Sequence, residues 1–163
     1  MSETTEVAFF AGLGADEQPV FESLQVEIVD AAAQTVRILK SPLLVRDLAS
    51  GDVIELKNPA TGDFEMQRRS GNLSVRVFRM EDLEELAQFL VPAMEKLGGQ
   101  VDLQTERGLS FSIHFSIGFK QIEEQLNRAC TRFSESVWYY GNVYDPSDGV
   151  TPLNWWLDFE NLE

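Results

Sequence analysis

The side chain with the greatest chemical potential in this sequence is His114, the only histidine of the chain. It lies in a stretch where serines recur at positions 110, 112 and 116. A serine and a histidine can form a nucleophilic site, but they need a nucleophile turn and an orienting carboxylate. Neither occurs at a recognisable spacing, so we predict that His114 is a polar side chain on an open sheet face. Cys130, the lone cysteine, is predicted to be a small buried hydrophobic residue. The sequence therefore predicts no catalytic residue.

The sequence also lacks a recognisable metal or cofactor motif. Residues 145–149, Asp-Pro-Ser-Asp-Gly, resemble the start of a calcium loop. Such a loop needs a glycine at its sixth position and a glutamate at its twelfth, where this chain has Trp156. Gly12 and Gly14 lack the third glycine of a dinucleotide-binding turn, and no cluster of cysteines and histidines suggests zinc. We predict no cofactor and no bound metal.

The charge balance narrows the class of partner. The chain carries 27 acidic and 13 basic residues, a formal net charge of −14. Such a field repels phosphate backbones and favours encounter with basic partners. The arginines at positions 68, 69, 76 and 79 form a local basic group, which we interpret as pairing with this protein's own carboxylates. The sequence predicts a basic protein partner and no nucleic acid.

The composition also bears on compartment. One cysteine excludes an intramolecular disulfide and fits a reducing environment. The first six residues are polar and acidic, unlike a secretory signal. No apolar run approaches the roughly 20 residues that a membrane span needs. We expect a cytoplasmic protein that does not enter the membrane.

The C-terminal tail, residues 144–163, combines aromatic and acidic side chains, with no lysine or arginine after position 132. Two adjacent tryptophans are unfavourable in water. Either they dock on this protein's own sheet or groove, which we favour, or they anchor a partner at an interface hot spot. An acidic rim beside them would meet a basic protein surface. The candidate partner-binding residues are Trp155, Trp156, Asp158, Phe159 and Glu160.

Residues 1–72 are predicted to form a small β-sheet or partial barrel. Apolar and polar residues alternate over 21–29, which predicts a strand, and residues 36–39 would be its hairpin partner. Turns rich in Gly, Asn and Asp bound further short strands at 53–56 and 64–69.

Residues 73–143 are predicted to form a ferredoxin-like β-α-β-β-α-β unit, so the chain as a whole is expected to be α+β. Apolar residues recur at helical spacing over 83–97 and again over 119–133. The strand predicted at 109–117 has the sharpest alternation in the chain. Right-handed crossovers would place both helices on one face of an antiparallel sheet, leaving the polar face open.

Three details of this unit are also predicted. Phe111, Ile113 and Phe115 would lie beneath the helices. Asp82 would cap the first helix, and Pro92 would kink or divide it near Gln88.

Several short motifs resemble an uncharacterised bacterial family with a domain of unknown function. They are Ser-Pro-Leu-Leu at 41–44, Gly-Asp-Val-Ile at 51–54, and Ser-Gly at 70–71 leading to Val-Arg-Val at 75–77. The resemblance covers roughly residues 6–142. This chain departs from the family pattern at Leu43 and Leu44, where aromatics are usual, and at Asn72. The resemblance implies a fold and no activity.

Two functional hypotheses follow. The leading one is a non-enzymatic, acidic interaction module, similar to an immunity or adaptor protein, that binds a basic protein partner. The alternative is a small-ligand-binding regulatory domain, which rests on fold analogy alone.

Overall fold

The computed structural model describes residues 3–58 and 60–160. Within them lie two antiparallel sheets and three α-helices, which confirms the predicted α+β class. The first sheet contains β1 (Thr4–Leu13), β2 (Pro19–Asp30), β3 (Thr35–Ile38), β4 (Val53–Asn58) and β5 (Asp63–Arg68). The second contains β6 (Asn72–Arg79), β7 (Gln100–Gln104), β8 (Gly108–His114) and β9 (Ser136–Tyr140). The helices are α1 (Leu83–Leu97), α2 (Phe119–Arg132) and α3 (Trp156–Glu160). None of the helices in this part of the chain has the length and apolarity to cross a bilayer.

The first sheet is a meander in which each strand pairs with the next along the chain. Alternation places apolar side chains on one face, where Phe9, Val26 and Ile38 are buried in a common core. The sheet curls until the Phe10 N–H donates to the Gly62 carbonyl oxygen at 3.5 Å. A Cβ on Gly62 would lie 2.5 Å from the Phe10 nitrogen, so this close approach requires glycine.

The second sheet has the strand order β7-β8-β6-β9, and all neighbours are antiparallel. The apolar sides of α1 and α2 share one core with Val75, Phe111 and Ile113. Since the two helices also contact each other, both cover the same face of this sheet. Phe111 and Ile113 are buried, as the alternation predicted.

The predicted strand over 109–117 is too long. β8 ends at His114, and Phe115–Ile117 form a 3-10 turn. His114 Nδ1 accepts a hydrogen bond from the Ser116 N–H at 3.2 Å, which stabilises this turn. Phe115 therefore leaves the sheet but still packs against the core beneath the helices.

Helix α1 differs from the prediction at its start and at its centre. Asp82 precedes the helix in a left-handed conformation, with φ 54°, and its side chain makes no capping hydrogen bond. Pro92 was predicted to kink or divide the helix near Gln88, and the helix continues undivided through it. Leu90 and Met94, on either side of the proline, are both buried in the same core, which holds the two halves together.

The polar face of the second sheet is covered, although the sequence predicted an open one. Residues 39–52, called here the connecting segment, join β3 to β4 and lie against it. The Ser110 hydroxyl donates to the Ser41 carbonyl oxygen at 2.7 Å, and the Ser41 and Ser112 hydroxyl oxygens lie 2.7 Å apart. All three serines are buried. Because these hydroxyls have partners, a polar layer is stable beneath the connecting segment.

Candidate ligand-binding groove

A groove of about 1000 Å³ runs beside β9, an outer strand of the second sheet. Its walls come from β6 and β9, the connecting segment, the β1–β2 hairpin and residues 144–149. A concave site where several elements converge is typical of ligand binding. The lining residues that matter most for its chemistry are Leu13, Leu44, Arg46, Arg76, Trp138 and Tyr139.

Arg76 is the central charge of the groove. It lies in the middle of β6 and is only 6% exposed. Its Nη2 donates to the Val45 carbonyl oxygen, and its Nε is buried without a hydrogen-bond partner. None of the ion pairs among the described side chains includes it. A buried cation without a paired anion is unfavourable unless something else compensates it.

The electrostatics of Arg76 agree with this geometry. Burial lowers the pKa of Arg76 to about 10, while the nearby Glu22 carboxylate raises it and the Arg46 guanidinium lowers it further. The side chain is still protonated at neutral pH. Its third nitrogen, Nη1, makes no hydrogen bond within residues 3–58 and 60–160, yet it is not one of the polar atoms that are fully buried without a partner. The guanidinium is therefore not completely sealed, and the Arg76 side chain lines the groove.

Gly141, which follows β9, allows Arg76 to take this position. A Cβ built on Gly141 would lie 2.5 Å from Arg76 Nη2 and 2.7 Å from Nε. The guanidinium thus lies across the bare backbone of Gly141, at the outer side of the sheet.

Glu22 holds the part of the connecting segment that contacts Arg76. Its carboxylate on β2 accepts three backbone N–H bonds, from Leu43 at 2.8 Å, Leu44 at 2.9 Å and Val45 at 2.9 Å. Charge-assisted bonds of this kind are strong. They hold the connecting segment, whose Val45 carbonyl then accepts from Arg76. One carboxylate in the first sheet thereby positions the main-chain partner of a guanidinium in the second.

The rim of the groove carries charges of both signs. Arg46 is exposed and donates from Nη1 to the Pro146 carbonyl oxygen at 3.2 Å. Glu123 on α2 accepts from the Tyr140 hydroxyl at 3.0 Å. Burial, together with Glu123, raises the pKa of Tyr140 well above its usual range. Asp145 accepts from Ser147. The groove therefore suits a ligand with a local negative group and neutral or basic surroundings.

The floor of the groove is aromatic. Trp138 and Tyr140 pack edge to face, with ring centroids 5.0 Å apart, and Trp138 Nε1 donates to Asn127 at 2.8 Å. On the other face of β9, the ring of Tyr139 packs beside that of Phe78, with the centroids 6.3 Å apart. Tyr139 is 56% exposed. Rigid aromatic walls provide apolar contact at low entropic cost.

His114 lies away from the groove. Its ring sits against Gly71, where a Cβ would be 2.5 Å from His114 Nε2. Its Nδ1 lies 2.8 Å from the Ser116 hydroxyl. Ser112, another serine of the predicted polar face, instead donates to Asp102. Cys130 on α2 is half-buried, so it is more accessible than predicted. These contacts describe structural side chains rather than a nucleophile and its base.

A buried acid, Asp52, ends the connecting segment. Asp52 is 1% exposed and accepts N–H bonds from Ala49 at 3.0 Å and Ser70 at 2.9 Å. Burial raises the pKa of Asp52 to about 6, although these bonds and the Arg69 guanidinium oppose the shift. Arg69 itself pairs with Asp47 at 2.5 Å. The Asp52 carboxylate therefore ties the start of β4 to the residues just before β6, and it does not line the groove.

The tail residues proposed as partner contacts occupy different environments. Trp155 is buried, at 7% exposed, and its Nε1 donates to the Asn142 carbonyl oxygen at 2.8 Å. Trp156 and Phe159 are half-buried and pack against the core that the second sheet shares with α1 and α2, whereas Asp158 is exposed. The side chain of Glu160 lies outside the described residues. The described tail residues Trp155, Trp156 and Phe159 therefore pack against this protein's own core, and contact between the tail and a partner stays a prediction.

The described parts of the chain contain no group of three or more His, Cys, Asp or Glu side chains arranged to hold a metal ion. The groove instead offers guanidinium groups and aromatic rings. Sequence reasoning placed Arg76 in a basic group paired with this protein's own carboxylates. That interpretation is correct for Arg69 with Asp47 and for Arg79 with Glu85 at 3.8 Å, but wrong for Arg76. The available signal was an arginine between two buried valines in the motif at 75–77.

Comparisons with known proteins identify a family but no activity. Residues 22–137 match a family described as a domain of unknown function, DUF4265, in agreement with the predicted resemblance. A solved structure, described as a novel crystal structure of a hypothetical protein from Neisseria gonorrhoeae, is similar with a TM-score of 0.64. The likeness covers 86% of this chain and 94% of that chain at 17% identity, so it shows the fold alone. No curated protein matches this sequence.

Proposed function

We propose, from the premise that this chain belongs to the DUF4265 family, that it is a ligand-binding regulatory domain whose groove binds an anionic ligand. The observation that carries this proposal is the Arg76 guanidinium. It is buried, it forms no ion pair with a carboxylate in the described chain, and its side chain lines the groove. An anionic group on a ligand would supply the missing ion-pair partner, and guanidinium binds carboxylate and phosphate in a bidentate manner.

The aromatic floor supports a ligand with an apolar part. Tyr139 lies on the same face of the sheet as its cross-strand partner Arg76, Trp138 lies on the opposite face of β9, and both line the groove. Pockets with apolar walls and few polar anchors are the usual form of small-molecule sites. The proposed ligand therefore combines one anionic group with a flat or apolar body.

A titration with matched probes tests this proposal. Phenylacetate, phenyl phosphate and the neutral phenylacetamide are added to ¹⁵N-labelled protein, and amide shifts of Tyr139 and Gly141 are followed together with the melting temperature. We expect at least one anion to shift these amides saturably and to raise the melting temperature, while the amide does neither. Arg76→Met should abolish the response, and Arg128→Gln, an exposed arginine on α2, should retain it. Equal shifts in Arg76→Met, or no shift with either anion, would overturn the proposal.

A second candidate function is an acidic interaction module for a basic protein. It is supported by the net charge of −14 and by four exposed carboxylates at the start of α1, namely Glu81, Asp82, Glu84 and Glu85. Binding of a basic partner there should weaken steeply with salt. Polylysine provides a simple probe, because affinity that is unchanged between 50 mM and 300 mM NaCl would contradict this candidate.

We also propose that residues 73–143 form a ferredoxin-like unit, with 1–72 as a β-rich part and 144–163 as the tail. The strand order β7-β8-β6-β9 and the two helices on one face support this assignment. Expression of residues 73–163 alone tests the division. A cooperative melt would support it, and a chain without tertiary structure would contradict it.

A further inference from the structure

No strand within residues 3–58 and 60–160 pairs with the outer edge of β9. β9 pairs with β6 and lies at the end of its sheet. The Gly141 N–H donates to the Ser74 carbonyl oxygen at 2.7 Å. Because hydrogen bonding to one neighbour alternates along an antiparallel strand, Tyr139 and Val137 also bond to β6. On the other side of β6, the Arg79 N–H donates to the Arg107 carbonyl oxygen. The odd-numbered residues of β6 therefore bond toward β8 and the even-numbered ones, including Arg76, bond toward β9, in agreement with this alternation. Trp138 and Tyr140 therefore direct their N–H and C=O groups away from the sheet.

This edge lacks the usual protection against strand addition. Exposed edges normally carry charges, proline or a bulge, whereas β9 reads Ser-Val-Trp-Tyr-Tyr and pairs with β6 in continuous register. Val137 is 47% exposed and Tyr139 is 56% exposed. Trp138, Tyr139 and Tyr140 all line the groove, so the space beside the edge is open.

Arg76 lies where an added strand would place a side chain. It pairs directly with Tyr139 across the sheet, and its guanidinium leans over Gly141. A new strand would lie about 4.8 Å beyond β9. A residue of that strand opposite Gly141 would have its side chain on the same face as the guanidinium. A carboxylate at that position would lie close enough to pair with the guanidinium.

We propose that the groove binds an extended peptide segment of a partner protein, added to β9 as a fifth strand, with one acidic side chain on Arg76. This inference rests on the proposed function, since it names the class of the anionic ligand. Main-chain bonds to Trp138 and Tyr140 would supply affinity, and the side-chain pockets would supply specificity. Because Glu123 and Asp145 line the rim and the net charge is −14, the rest of the segment is neutral or basic.

Selection of random eight-residue peptides displayed on phage tests the inference. We expect enrichment of peptides with alternating β-branched residues, one Asp or Glu, and flanking Lys or Arg. Synthetic copies should slow amide hydrogen exchange at Trp138 and Tyr140 at least tenfold, with Tyr139 unchanged because it already bonds to β6. Replacing the acidic residue by its amide, or Arg76→Met, should weaken binding about tenfold or more, whereas Arg128→Gln should not. N-methylation of alternate peptide nitrogens should abolish binding.

The outcomes separate the two proposals. If phenylacetate shifts Gly141 but no selected peptide protects Trp138 and Tyr140, the peptide inference fails and anion binding stands. If neither probe binds at Arg76, both fail. If light scattering shows a dimer and these two amides are protected without peptide, the edge pairs with a second copy and the inference is overturned.

Discussion

The Arg76 guanidinium lies across the backbone of Gly141, and a single Cβ at that glycine would come within 2.5 Å of Arg76 Nη2. The contact joins the centre of β6 to the end of β9. It brings the charge of a buried arginine toward the edge strand β9, beside which the groove runs. Anion binding in the groove and peptide addition to β9 both depend on this contact.

Gly141→Ala should therefore destabilise the protein by displacing Arg76. We expect a loss of about 1–3 kcal/mol, the usual range for overpacking a filled site. In an Arg76→Met background, the flexible thioether can move aside and the same change should cost less. Urea unfolding of the four proteins in this double-mutant cycle measures the coupling. Additive effects would contradict the contact.

Glu22→Gln should loosen the connecting segment. The carboxylate accepts N–H bonds from Leu43, Leu44 and Val45, and the neutral amide has one acceptor oxygen in place of two. We expect a loss of about 1–3 kcal/mol in unfolding free energy. Hydrogen exchange at these three amides should accelerate. Glu124→Gln, at an exposed position on α2, provides the matched control and should leave both measurements unchanged. Equal effects of the two substitutions would argue against the role of Glu22.

Asp52 should produce a distinctive dependence of stability on pH. Its pKa rises from the ordinary value of 3.8 to about 6 in the folded protein. Folding therefore favours the protonated form, and this contribution is complete below the unfolded pKa and lost as pH rises through 6. Relative to Asp52→Asn, the wild type should gain about 1 kcal/mol between pH 7.5 and pH 5. Urea unfolding at both values measures the difference. A wild type that loses stability relative to the variant over this interval would contradict the assignment.

Trp155→Ala should undock the tail. The indole is buried, donates to Asn142 at 2.8 Å, and contacts Phe115, with the Arg69 guanidinium 5.4 Å from its ring centroid. We expect a loss of about 3–5 kcal/mol, as for other buried aromatic residues. Val150→Ala, at a position that is 73% exposed, should change stability by less than about 0.5 kcal/mol. A small effect at Trp155 would favour the alternative in which this residue is held for a partner.

Local patterns in the sequence were sufficient for much of the architecture. The alternation around Phe111 and Ile113 predicted which face of β8 is buried, and the helical spacing around Leu90 predicted α1. These predictions succeed because side-chain periodicity is a property of neighbouring residues. The boundaries were weaker. The strand through Phe115 ends earlier, because His114 and Ser116 stabilise a turn that the alternation does not reveal.

The sequence alone determined the α+β class, the family and the presence of an aromatic tail that prefers burial. Only the tertiary structure decided that the polar face of the second sheet is covered and that Arg76 is buried without an ion pair among the described residues. The contacts responsible join distant positions, such as Ser41 with Ser112, 71 residues apart, and Val45 with Arg76, 31 residues apart. A periodic pattern shows that one face of a strand is polar. Whether water, a neighbouring segment or a ligand satisfies that face depends on which remote part of the chain packs against it.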